Sequence, residues 1–83
     1  MKLTQYVKFR EEKFGGVLFE TRSEKVFTLN FPGAAIVREI VAGTPESEIG
    51  GRLRMRFADP SGAIDSEVRA LVSELETRGL VEE

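Results

Sequence analysis

The chain of 83 residues contains no cysteine and no histidine. Without cysteine, disulfides, thiolate metal ligands and cysteine nucleophiles are all excluded. Without histidine, the chain lacks the commonest general base, the commonest metal ligand and the usual partner of a catalytic serine. Catalysis through carboxylates or lysine remains possible. We nevertheless expect a protein that is not an enzyme and that holds no metal and no cofactor.

Long apolar runs and a strong net charge are also missing. No apolar run approaches the ~18 residues that span a bilayer, and the N-terminus has no apolar signal-peptide core. The net charge of -2 gives no overall attraction to nucleic acid or to an anionic membrane. With 41% hydrophobic and 31% charged residues, the composition is typical of a folded, soluble chain. We expect a single cytoplasmic domain over residues 1–83, with no nucleic-acid or membrane partner.

The first part of the chain alternates between apolar and polar side chains, which is typical of strands that are buried on one face. The pattern predicts strands over Tyr6–Glu11, Val17–Phe19 and Val26–Leu29. The first turn is predicted at Phe14–Gly16, because glycine suits the positive φ of a hairpin turn. The third strand contains neither proline nor glycine, so its backbone is able to pair along both edges.

Helical spacing replaces the strand pattern after Asn30, a good N-cap residue. The apolar positions of three predicted helices are Ile36, Val37, Ile40 and Val41; Ile49, Leu53 and Phe57; and Val68, Leu71, Val72 and Leu75. Thr44 and Asp65 are expected to cap the second and third helices, and Gly79 to end the third. The Gly50–Gly51 pair weakens the second helix, since each glycine costs about 1 kcal/mol relative to alanine. The prediction is an α+β domain, with a three-stranded antiparallel β-meander followed by three α-helices.

One local cluster of basic residues suggests an alternative function. It consists of Arg52, Arg54 and Arg56. A winged-helix DNA-binding protein would use these arginines together with the third helix. That helix carries Glu67, Glu74 and Glu76, which would repel phosphates. We therefore expect the arginines to lie on a solvated face or to meet an acidic protein partner.

The third strand and the third helix together indicate a peptide-binding site. The outer strands of a meander are edges, which proteins normally guard against unwanted pairing. Here only Lys25 and Thr28 look protective. A peptide that pairs along this edge would place alternate side chains in a groove between the strand and the helix. A second copy of the chain could pair with the same edge to form a homodimer.

Three segments stand in a distinctive order along the chain. Val26–Asn30 runs straight into a helix, Ile40–Thr44 forms the joint of the first two helices, and Leu75–Leu80 ends the third helix. In this order they resemble the PqqD-like family, the small RiPP recognition elements that present a precursor peptide to a modifying enzyme. The resemblance covers the chain from about Val7 to Val81. Phe9–Gly16 is similar to the subset found with radical SAM peptide maturases, of the GeoRSP type.

The resemblance implies a winged-helix-like domain with a three-stranded sheet packed on three helices. It also implies that the leader region of a precursor peptide adds to the third strand and lies against the third helix. The residues implied for backbone pairing are Val26, Phe27, Thr28, Leu29 and Asn30, and those of the apolar wall are Val68, Leu71, Val72 and Leu75. Which wall residues face the peptide and which face the core stays open. The implied function is that of a non-catalytic peptide chaperone for a radical SAM maturase.

Overall fold

The computed structural model describes residues 1–83, which form two small sheets and three helices. The elements are β1 (Lys2–Leu3), β2 (Val7–Glu12), β3 (Gly15–Glu20), β4 (Lys25–Leu29), α1 (Phe31–Ala42), α2 (Glu46–Arg54), α3 (Ile64–Thr77) and β5 (Val81–Glu82). An antiparallel sheet contains β2, β3 and β4 in that order, while β1 pairs with β5. The predicted α+β class, with a meander before three helices, is confirmed. The β1–β5 pair was missed.

The core lies between one face of the three-stranded sheet and the three helices. Sixteen buried apolar side chains form a single cluster, with Leu18 from the sheet and Ile36, Ile49 and Leu75 from the helices almost fully enclosed. Strand alternation gives the sheet one apolar face, and the 3.6-residue period gives each helix one apolar stripe. No helix has the length and apolar character needed to cross a membrane. No group of three or more potential metal-ligating side chains comes together.

The glycines predicted to form the first hairpin turn lie inside β3 instead. Glu12 pairs with Gly15, so the loop consists of Lys13 and Phe14 alone. Gly15 has φ of +145°, and a Cβ at this position would lie 2.3 Å from the carbonyl oxygen of Leu29. Glycine is therefore required here because the backbone at the end of β4 passes very close.

Two predicted helix caps are wrong. α2 begins without a side-chain cap, because the hydroxyl of Thr44 donates to Oε1 of Glu39 at 2.7 Å. α3 begins one residue before Asp65, so this side chain lies in the first turn. The carboxylate of Asp59 instead accepts the backbone N–H of Ile64, at 3.2 Å.

The predicted start of α1 and the predicted end of α3 are confirmed. Oδ1 of Asn30 accepts the N–H of Gly33 at 2.9 Å, which caps α1. Gly79 has φ of +71°, and the N–H of Leu80 reaches back to the carbonyl of Leu75 at 2.9 Å. This six-to-one bond is the mark of a Schellman motif.

α2 is shorter than its apolar spacing predicted. The helix ends at Arg54, so Phe57 lies beyond it. Phe57 is nevertheless half-buried against the core, because its N–H bonds to the carbonyl of Leu53 at 2.8 Å and continues the turn. Phe57 therefore packs against the core as its spacing predicted, although it lies outside the helix.

Candidate functional site

The first hairpin determines which residues of each strand form hydrogen bonds with the neighbouring strand. We call this alternation the hydrogen-bonding phase of the sheet. In a two-residue hairpin the residues that flank the loop exchange hydrogen bonds, and here these are Glu12 and Gly15. The N–H of Thr21 donates to the carbonyl of Tyr6 at 2.8 Å, which extends the same phase to the other end of the pair. Odd-numbered residues of β3 therefore bond to β2, and even-numbered residues bond to β4.

This phase decides which residues of β4 are free to bind another strand. The partners of the even-numbered β3 residues are Lys25, Phe27 and Leu29. Val26 and Thr28 therefore direct both N–H and C=O away from β3, to the open edge of the sheet. Asn30 continues the phase, but its carbonyl already accepts the N–H of Ala34 at 2.8 Å. Of the residues predicted to pair, only Val26 and Thr28 offer both backbone groups.

The side chains of β4 alternate between two faces as predicted. Leu29 is buried and Phe27 is half-buried on the helical side, while Val26 is 60% exposed and Thr28 is exposed on the other side. A strand added to the edge would continue this alternation. Every second side chain of that strand would lie on the helical side.

A groove on the helical side runs along the open edge of β4. One part, of about 480 Å³, lies between Phe27–Asn30 and the side chains of α3 from Glu67 to Glu74. A second part, of about 460 Å³, lies between Lys25–Phe27 and the end of α3 at Thr77–Leu80. Phe27 lines both parts. We call the two parts together the β4–α3 groove.

The structure divides the predicted apolar wall of α3. Val68, Val72 and Leu75 are at most 3% exposed and hold the helix on the core. Leu71 is half-buried and lines the β4–α3 groove, next to Ala70. Of the four residues predicted to form the apolar wall, only Leu71 therefore presents its side chain to the groove.

Arg78 lines the part of the groove beside Lys25 and was not identified from the sequence. Its guanidinium lies 4.9 Å from the centre of the Phe27 ring, and its Nε is 3.6 Å from the carboxylate of Glu74. The four-residue spacing from Glu74 was the available signal, but it indicates only a pair on the helix surface. A side chain that enters the groove here must pack on Arg78 or displace it.

The arginine cluster lies outside the groove and is largely engaged within the protein. Nε of Arg52 lies 3.0 Å from Oε1 of Glu39, and Nη1 of Arg54 lies 3.1 Å from Oδ1 of Asp65. Arg56 has no carboxylate within 4 Å. Two of the three cations are thus used to join helices, and the interpretation as a DNA-binding surface has no support.

Glu39 is a buried carboxylate at the junction of α1 and α2. The hydrogen bond from Thr44, followed by the charge of Arg52, holds the pKa of Glu39 below its ordinary value of 4.5, although burial acts in the opposite direction. A lowered pKa in the folded state means that the ionised form stabilises the fold. This stabilisation is complete above the ordinary pKa and is lost as the pH falls through the lowered value.

Replacing Glu39 by glutamine is therefore expected to flatten the acid dependence of stability. The urea midpoint of the wild type should fall from about pH 5 downwards, and that of Glu39→Gln should fall less steeply. Glu76→Gln, at an exposed carboxylate with no ion pair, is the control and should follow the wild type. Equal slopes for Glu39→Gln and the wild type would contradict the assignment.

The chain was compared with known families, curated proteins and solved structures. The family model of coenzyme PQQ synthesis protein D (PqqD) matches residues 15–81. A lasso peptide synthetase B1 complexed with the leader peptide has a TM-score of 0.83 at 22% identity, covering 99% of this chain and 96% of that chain. TbiB1 in complex with the TbiA(beta) leader peptide has a TM-score of 0.86 at 20% identity, with 99% and 95% covered. No curated protein sequence matches significantly. The two solved structures share the fold, and the family match includes both walls of the groove.

Proposed function

The chain belongs to the PqqD family, and we propose that it binds the leader segment of a ribosomally made precursor peptide along β4 and presents it to a radical SAM modifying enzyme. The observation that carries this proposal is the open edge of β4, where Val26 and Thr28 direct backbone groups outward beside the groove. Strand addition would satisfy these groups while alternate peptide side chains enter the groove near Leu71. Structures of the same fold were solved with leader peptides, which supports this class of ligand.

Both the open edge and the groove would contribute to the affinity for a peptide. Val26 and Thr28 offer two backbone groups each and Asn30 offers its N–H, so about five hydrogen bonds form, each worth about 0.5–1.5 kcal/mol. Two apolar anchors in the groove would add about 1.5–3 kcal/mol each. Ordering five peptide residues costs about 1–2 kcal/mol apiece, and association costs more. Because these costs offset much of the gain, we expect modest affinity rather than tight binding.

No bond needs to be made or broken by this protein. Holding the leader raises the effective concentration of the precursor at the enzyme, which accelerates modification without a catalytic group here. A chain without histidine or cysteine is suited to such a non-catalytic role. We place this step in the cytoplasm, where ribosomal precursors are made. A homodimer through β4 would occupy the same backbone groups, so leader binding would dissociate it.

The genes around the gene of this protein are first searched for a short precursor peptide, and titration with its synthetic leader then tests the proposal. We expect a dissociation constant of about 0.1–10 µM. By NMR, amide exchange of Val26 and Thr28 should slow on binding, whereas the amides of Phe27 and Leu29 are already protected in the free protein. A scrambled leader is the control. Absence of binding would refute the proposal, and unchanged exchange at both amides would refute the β4 site.

The enzyme partner is tested in a second arm of this experiment. Modification of the precursor by the proposed radical SAM partner should depend strongly on this protein at low precursor concentration. The dependence should weaken as the precursor approaches millimolar concentration, because tethering acts through effective concentration. A requirement that is independent of concentration would contradict simple delivery.

A further inference from the structure

The two ends of the β4–α3 groove carry opposite charge. At the end beside Asn30, the lining residues include the carboxylates Glu67 and Glu74 and no cation. At the end beside Lys25, they include three cations and one carboxylate. The cations are Arg22, Lys25 and Arg78, and the carboxylate is Glu20. One end is therefore net negative and the other is net positive.

Some of these charges are already paired within the protein. The unpaired charges still leave one end of the groove negative and the other positive. Hydrogen bonds from Ser23 and Arg22 hold the pKa of Glu20 at about 2, so this carboxylate stays ionised and offsets one cation. Glu67 and Lys25 belong to no ion pair. Both side chains are exposed. Each end of the groove thus keeps one free charge for a ligand.

The distance between the charged ends corresponds to a short stretch of extended chain. α3 runs antiparallel to β4, with Glu67 near Asn30 and Arg78 near Lys25. Arg78 follows Glu67 by eleven positions, which is about 16 Å at about 1.5 Å per residue. A strand covers this distance in about five residues at about 3.3 Å each.

We propose that the β4–α3 groove selects peptides by charge order, with a basic side chain about four to six residues before an acidic one and apolar side chains between them. The inference rests on the proposed function. Antiparallel addition continues the pattern of the sheet and is the slightly more stable mode. It places the N-terminal part of the peptide beside Asn30 and Glu67, and the C-terminal part beside Lys25. The apolar side chains between them would meet Leu71 and Phe27.

The expected selectivity is modest but measurable. An exposed ion pair changes an equilibrium by a factor of about 1.4 to 5. The favoured order makes two attractive contacts, whereas the reversed order makes two repulsive contacts. Two peptides that differ only by exchange of the basic and acidic residue should therefore differ in affinity by about fourfold or more, and the difference should shrink at high salt.

Selection from a phage-displayed library of random 12-residue peptides tests this inference. The wild type should enrich peptides in which Lys or Arg precedes Asp or Glu. The double variant Lys25→Glu/Glu67→Lys exchanges the charges of the two ends, and it should enrich the opposite order. The control variant Lys13→Glu/Glu76→Lys makes the same exchange at exposed positions that do not line the groove, and it should select like the wild type.

The outcomes separate this inference from the proposed function. The wild type could enrich peptides relative to the Thr28→Pro variant but show no charge order, or the wild type and the groove variant could enrich the same order. Either outcome would overturn the inference and leave peptide binding standing. The opposite order on the wild type would overturn antiparallel addition. No enrichment over Thr28→Pro would overturn the proposed function as well. If the double variant does not fold, the single Glu67→Lys variant should lose the preference for an N-terminal cation.

Discussion

Replacing Val26 and Thr28 by proline is expected to weaken leader binding by about 5- to 150-fold while the protein stays folded. Each proline removes one N–H donor that points to the open edge, and the pair is worth about 1–3 kcal/mol. The β3–β4 hydrogen bonds survive because they use Lys25, Phe27 and Leu29. Proline is tolerated at edge positions whose N–H faces solvent. Calorimetric titration of the synthetic leader gives the affinity, and circular dichroism checks the fold.

The opposite edge of the sheet offers a matched control. Glu11 lies on β2 in the phase that points away from β3, so Glu11→Pro removes an outward N–H there as well. This variant loses an exposed ion pair with Arg38 but should bind the leader with unchanged affinity. Phe27→Pro removes a donor inside the ladder and should destabilise the sheet. If Val26→Pro and Thr28→Pro both fold and bind like the wild type, the peptide does not pair with β4.

Replacing Gly15 by alanine is expected to destabilise the fold by about 2–6 kcal/mol. A residue with a side chain is strained at φ of +145°, which costs about 1–3 kcal/mol. The added Cβ would also lie 2.3 Å from the carbonyl oxygen of Leu29 and 2.5 Å from the carbonyl carbon of Asn30, so backbone has to move, at about 1–3 kcal/mol. The melting temperature should fall by about 8 °C or more. Because the displaced backbone lines the groove, leader affinity should fall as well.

Gly51→Ala is the control for this substitution. Gly51 lies inside α2, and a Cβ there would meet nothing within 4 Å. Alanine should therefore stabilise the protein by about 0.8–1.0 kcal/mol. Gly50 is unsuitable as the control, since its Cβ would lie 2.1 Å from Oδ1 of Asp65. Loss of stability in Gly51→Ala, or none in Gly15→Ala, would contradict the roles assigned to the two glycines.

The strands were predicted better than the details of the turns and caps. Alternation over Val26–Leu29 is a local property, so it identified both the strand and its two faces. The predicted cap at Thr44 failed because its hydroxyl has a better partner in the buried carboxylate of Glu39. The β1–β5 pair joins two-residue strands from opposite ends of the chain, which are too short to show a period. Such long-range pairing has no local signal.

The groove itself was only half visible in the sequence. The apolar stripe of α3 indicated a buried face, but it could not separate Leu71 from Val68, because both fall within the same wide stripe. The position of Arg78 over Phe27 joins a helix end to a strand far away in the chain, and no spacing rule predicts it. The charge polarity was equally hidden, since Lys25 and Glu67 are distant in sequence and reach opposite ends of one groove only in the folded protein.

The sequence by itself determined the order of strands and helices, the absence of histidine and cysteine chemistry, and a third meander strand free of proline and glycine. These depend on composition and on short-range periodicity, which are local. Only the tertiary structure decided that Val26 and Thr28 offer their backbone groups, that Leu71 faces the groove, and that Gly15 must be glycine. Each of these depends on which strand lies beside which and on how closely their backbones approach, and such contacts between distant parts of the chain exist only in the folded protein.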